Sequence, residues 1–113
     1  MNLFRRHRPE RPPTPRQVVA VRRGAELLDE RYPGDWRNLL VQLCGEDLET
    51  LQVARADHCV LRELYSSYPI GLAMLEVLSE DARDYGFNSL PREQGQLRAA
   101  WRAEVHQRET VGV

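Results

Sequence analysis

The side chains best suited to nucleophilic or metal chemistry are Cys44, His58 and Cys59. A nucleophilic arrangement would use the Cys59 thiol with His58 as its base. That arrangement also requires an orienting third group and electropositive surroundings to ionise the thiol. Neighbouring residues on a helix project about 100° apart, so His58 and Cys59 are badly placed either to exchange a proton or to chelate one ion. A structural zinc site needs four ligands at short spacings, and the remaining histidines, His7 and His106, stand at opposite ends of the chain. The expectation is therefore no catalytic residue, no metal and no cofactor. Cys44 (beside Leu39, Leu40, Val41 and Leu43) and Cys59 (before Val60 and Leu61) read as small buried hydrophobes.

Other chemistries find less support. The seven glycines never approach a G-x-G-x-x-G or Walker spacing, so no phosphate cradle is expected. No serine sits in a G-x-S-x-G context. Glu80, Asp81 and Asp84 could offer oxygens to a hard cation, but such a run at the start of a helix ordinarily complements its dipole and faces water.

A contact surface for another macromolecule is the stronger expectation, because a chain this small leaves part of its aromatic inventory exposed. Trp101 with Arg98 and Arg102 on the last helix is the first candidate, since exposed aromatics next to arginine are frequent hot spots. Tyr65 and Tyr68, three residues apart, form the second, and the acidic 46–63 region is a further contact candidate. The opposing interpretation makes Trp101 a buried anchor and places the tyrosines at the rim of the core.

Charge is distributed unevenly. Residues 1–43 hold nine arginines and five acids, a net +4; residues 44–90 hold three arginines and nine acids, a net −6; the remainder is +1. All 16 basic residues are arginine, which reflects codon composition rather than guanidinium chemistry. Arg5, Arg6, Arg8, Arg11 and Arg16 could hold phosphates in a nucleic acid, or the arm that carries most of them could fold back on the chain's own acidic face. An overall pI near 6.3 weighs against a dedicated nucleic-acid binder, making that the alternative reading.

The elements follow from capping signals and periodicity. Residues 1–13, with three prolines and four arginines, predict a disordered arm. Thr14-Pro15-Arg16-Gln17 matches a capping box with proline at the first helical position, and Val18, Val21, Ala25 and Leu28 continue an apolar stripe to about Arg31. Tyr32-Pro33-Gly34 stops it. Asp35 caps a short helix carrying Trp36, Leu39, Leu40 and Leu43, which Gly45 closes. Residues 46–53 suit either a helical turn or a short extended piece. Asp57 is expected to cap a helix bearing Val60, Leu61, Leu64, Tyr65 and Tyr68, after which Pro69 opens a new helix or kinks this one. Residues 70–78 are apolar nearly all round, which predicts the central buried helix. A short acidic turn from Ser79 ends at Gly86, Phe87 packs back, and Ser89-Leu90-Pro91 opens a last helix to about Arg108. Leu97, Trp101, Glu104, Val105 and Arg108 share one side of it.

These readings give an all-α fold: a single domain over residues 14–110, a small bundle of four to five helices behind a basic arm. At 113 residues and 42% apolar content the chain excludes a two-domain enzyme with separate cofactor and substrate halves. No apolar run approaches the ~20 residues that span a bilayer, and no apolar stretch of signal-peptide type follows Met1. A cytoplasmic protein without membrane contact is expected.

The run from Gly24 to Gly34 followed by Trp36 belongs to a wider pattern with Cys59 to Tyr65, Tyr68, Gly71-Leu72, Tyr85-Gly86-Phe87, Leu97 and Ala100-Trp101-Arg102. This pattern resembles a group of small uncharacterised proteins of actinobacteria and their bacteriophages, over about residues 20–103. Asp35 intervenes between Gly34 and Trp36, and Arg62-Glu63 stands where that pattern has Gly-Gln. The resemblance implies a phage or prophage origin and transfers no catalytic residue. The expected function is a small non-enzymatic, phage-type module that binds, and thereby modulates, a protein of the host.

Overall fold

The computed structural model describes residues 11–53 and 59–111, with side chains through residue 107. The described residues are helical or irregular and contain no strand. Helix α1 spans Pro15–Arg31, α2 Trp36–Cys44, α3 Val60–Tyr65, α4 Tyr68–Leu75 and α5 Gln94–Val111. Two 3-10 segments, Ser79–Tyr85 and Pro91–Glu93, precede α5. The all-α expectation holds, whereas the predicted disorder of the arm falls almost entirely on residues outside the described set.

Helix α1 starts where its capping box predicts. The Thr14 hydroxyl accepts from the Gln17 amide at 3.2 Å, and the Gln17 side chain accepts from the Thr14 amide at 2.8 Å. Its buried stripe is Ala20, Val21, Gly24, Ala25 and Leu28. Asp35 caps α2 by accepting from the Asn38 amide, and Trp36, Leu40 and Cys44 recur every four residues on the buried side. The ambiguous 46–53 stretch is neither helix nor strand. It is a set of turns that buries Leu48, Leu51 and Val53 fully, with Leu48 held at φ +54°.

Three expectations need correction. Helix α3 begins at Val60 with Cys59 at the cap position, so the expected cap Asp57, which lies outside the described residues, is not its N-cap. Tyr68 does not belong to α3: Ser66 turns left-handed at φ +66°, Ser67 accepts from the Ile70 amide, and Pro69 sits in the first turn of a separate α4. Finally, α4 is not a central buried helix. Gly71, Leu72 and Leu75 face inward, while Ile70 and Met74 face out, and Leu78 beyond its end is exposed as well.

Helix α1 forms the spine. Helix α5 lies alongside it in the same direction, as the pairings Pro12 with Gln96 and Arg22 with Glu104 show. The first 3-10 segment runs back along α1, bringing Tyr85 to Gly24 and leaving Glu76 beside Arg31. Gly24 is required by close approach, because a Cβ there would overlap the Tyr85 carbonyl. Between these elements Phe87 stacks on Trp101 at 5.9 Å and on Tyr85 at 6.2 Å, and the Arg23 guanidinium lies 4.7 Å from the Tyr85 ring centre.

Candidate functional site

The structure sets the first candidate surface inside the molecule. Trp101 is completely buried, and its indole N–H donates to the Gly86 carbonyl at 2.7 Å. Its place opposite Trp36 and Phe87 makes it a core anchor, correcting its assignment as a contact residue. The flanking arginines face another task. Arg98 donates to the Leu51 carbonyl and Arg102 to the Asp47 carbonyl, each at 2.8 Å. His106 reaches the Glu46 carbonyl at 3.0 Å. One face of α5 thus ties down the 46–53 turns, whose lack of internal ladder leaves carbonyls in need of donors. These arginines are half-buried by this role.

Tyr65 and Tyr68 are half-buried at the edge of the core. Tyr65 meets Tyr32 edge to face at 5.3 Å, and the Tyr32 hydroxyl donates to the Leu64 carbonyl. Burial pushes both the Tyr65 and Tyr68 phenols above their ordinary range. They fasten α3 to the end of α1 and the start of α4.

Cys44 and Cys59 are buried free thiols. Burial pushes Cys44 up to about 11, with nearby Glu63 acting in the same direction, and it pushes Cys59 up as well. A thiol so held stays protonated at neutral pH, the opposite of an activated nucleophile. Among the described residues no three His, Cys, Asp or Glu side chains converge on a common point; His7 and His58 lie outside them. No helix among the described residues is long and apolar enough to cross a membrane.

Of the arginines proposed for phosphate, Arg11 and Arg16 are exposed, and Arg5, Arg6 and Arg8 lie outside the described residues. Arg16 and Arg23 border an open groove of about 470 Å³ between the first half of α1 and the Asn88-Ser89 turn. Arg23 is engaged there with the Tyr85 ring and the Asp84 carbonyl, and Arg83, also on the rim, with Glu93 at 3.1 Å. The groove lining thus mixes three arginines with Asp84 and Glu93, and one of the arginines, Arg83, is ion-paired within it.

The surface that stands out is one the sequence pattern hid. Ile70 is 57% exposed and Met74 61%, one helical turn apart on α4, with exposed Ala73 between them; Leu78, just past the helix, is 62% exposed. Between Ser66 and Ala82 the charged residues are Glu76, Glu80 and Asp81, with no arginine. Glu80 is exposed and Asp81 half-exposed, while Glu76 pairs with Arg31 at 2.7 Å. The result is an exposed apolar stretch whose own charged residues are acidic, one of them, Glu76, paired with Arg31. The sequence signal for it was the shortness of the segment, for Ser66-Ser67-Pro69 on one side and Glu76 on the other leave only two turns, too few to be wrapped from every side.

The chain matches no family model, no curated protein and no solved structure.

Proposed function

We propose that this chain is a small non-enzymatic protein-binding module whose contact surface is the outward face of α4. The segment it takes carries large apolar side chains next to arginine or lysine. The observation that carries this reading is the placement of Ile70, Met74 and Leu78, all more than half exposed, in a stretch whose only charges are acidic. Isolated exposed hydrophobes are ordinary on a small protein, but adjacent ones rimmed by polar residues mark interaction surfaces. Covering each of the three is worth about 1–2 kcal/mol, and the acidic residues of the stretch would select a cationic partner and speed its arrival. The protonated, buried state of Cys44 and Cys59 supports the non-enzymatic part of the reading. The resemblance to phage and actinobacterial proteins suggests a bacterial host as the source of the partner, whose activity the module would modulate.

Selection of peptides from a random library on the immobilised full-length protein tests the reading. Enriched peptides should combine aromatic or aliphatic residues with arginine or lysine, and should lose binding to a Met74→Glu variant. Enrichment of acidic peptides, or equal binding to Met74→Glu, would reject it.

A further inference from the structure

We infer that the outward face of α4 takes a second copy of this chain, docked through the groove side of that copy's α1; this rests on the reading of the α4 face as a binding surface. Positions 16, 19, 20 and 23 fall on one side of a helix, and Arg16, Val19, Ala20 and Arg23 all border the open groove beside the Asn88-Ser89 turn. Val19 is 54% exposed there, an apolar side chain between two arginines that stand about 10 Å apart along the helix. Apolar surface next to arginine is the chemistry that the α4 face selects.

Charge favours the same pairing. Arg83 and Glu93 satisfy each other at 3.1 Å, which leaves Arg16 and Arg23 against Asp84 in the groove lining. Arg16 has no ion pair among the described residues, and Arg23 rests on the Tyr85 ring and the Asp84 carbonyl. On the other surface the stretch from Ser66 to Ala82 carries Glu76, Glu80 and Asp81, of which Glu76 is taken by Arg31. Glu80 and Asp81 remain to meet the arginines of the incoming copy.

The contact has to join two molecules. No residue from Ser66 to Ala82 borders the groove, and Glu76 meets α1 at Arg31, about 18 Å further along the helix than Val19. One surface on the first copy then meets a different surface on the second. Such a heterologous contact repeats from copy to copy instead of closing as a two-fold dimer. The apolar area on both sides is small, so the association is weak and reversible. Each seated copy also covers one α4 face, and the apparent affinity for an outside partner falls with the fraction covered.

Sedimentation equilibrium of the full-length chain tests this. The weight-average mass of the unmodified protein should climb with concentration from the 13.1 kDa of one chain to beyond that of two. Val19→Glu and Met74→Glu, both at exposed positions, should keep the fold and should each weaken association about tenfold or more. Arg16→Glu, a second variant of the groove side, should weaken it too. Mixed in equal amounts, Val19→Glu and Met74→Glu should form a dimer and nothing larger, because the first keeps its α4 face and the second its groove. A chain that stays monomeric at every concentration overturns the inference, and so does a mixture no heavier than its components. Unimpaired association of Val19→Glu and Arg16→Glu, with Met74→Glu monomeric, overturns it as well and makes the contact a pairing of two α4 faces. A library-selected basic peptide separates this failure from that of the underlying reading. If the peptide shifts the amides of Ile70 to Leu78 in a chain that stays monomeric, only the second copy is rejected; if it leaves them unmoved, the surface itself is rejected.

Discussion

Trp36 and Trp101 meet edge to face, ring centres 6.0 Å apart and planes 88° apart, each with its indole N–H satisfied: Trp36 by the Asp29 carboxylate at 2.8 Å, Trp101 by the Gly86 carbonyl at 2.7 Å. The pair joins the two indoles of the chain, which arrive from α2 and α5, at the centre of the core. Trp101→Ala should therefore lose about 3–5 kcal/mol of stability in urea unfolding, as large-to-small core substitutions do. A surface tryptophan would change stability by less than about 0.5 kcal/mol.

The close approach of α1 to Tyr85 gives a second outcome. Gly24→Ala places a methyl against the Tyr85 carbonyl and the Phe87 ring. Helix propensity favours alanine by about 1 kcal/mol, but backbone overlap in a packed interior costs more. The expected net loss is about 1–2 kcal/mol, with the Tyr85 and Phe87 resonances shifted in NMR spectra.

Arg98 and Arg102 are expected to matter for order rather than for binding. Arg98→Ala leaves the buried-side Leu51 carbonyl without that donor, a cost of about 1–3 kcal/mol. Amide exchange should quicken within residues 46–53 and little elsewhere, while the affinity for library-selected peptides stays unchanged.

The thiols set an alkaline limit. In the unfolded chain a cysteine ionises near pH 8.5, whereas folded Cys44 is held at about 11, so its contribution is complete below the first value and is lost as pH rises through the second. The loss is of the order of 3 kcal/mol between those limits. Upward shifts at Cys59, Tyr65 and Tyr68 act with the same sign. Urea midpoints measured from pH 8 to pH 11 should fall, and fall less steeply in Cys44→Ala. At pH 8 a thiol reagent should leave the native protein unlabelled.

Ile70→Glu combined with Met74→Glu tests whether the outward face of α4 contributes to folding. Both positions are more than half exposed, so stability should change by less than about 1 kcal/mol, while binding of basic amphipathic peptides should disappear. A large loss of stability would mean that the face is packed.

Much of the fold was legible because its signals are local. The Thr14–Gln17 box, the Asp35 cap, the stop at Tyr32-Pro33-Gly34 and the left-handed Gly86 at φ +71° each depend on a few consecutive residues, and all appear where expected. What failed depends on distant partners. Residues 70–78 are apolar all round, and composition cannot say which half is covered; that depends on Gly71 admitting Leu61 and Tyr65 on one side only. Likewise Arg98, Trp101 and Arg102 cluster on one short run of α5, yet their fates diverge. Trp101 turns to Gly86, whereas the arginines turn to carbonyls of an irregular segment whose path no periodicity encodes. The same blind spot concealed the candidate surface, because exposed and buried apolar residues look identical in sequence.

The pairing of α1 with elements from the second half of the chain bears on how the protein is made. Val21 and Gly24 find cover in Tyr85, Gly86 and Phe87, some sixty residues later in the chain, so this part of the α1 stripe stays open until that later stretch has been made. Any nascent or prematurely ended chain displays that stripe to chaperones and proteases. Folding here closes an early stretch of this sequence onto a later one, and damage to α5 is felt by α1, with which it pairs through Arg22 and Glu104.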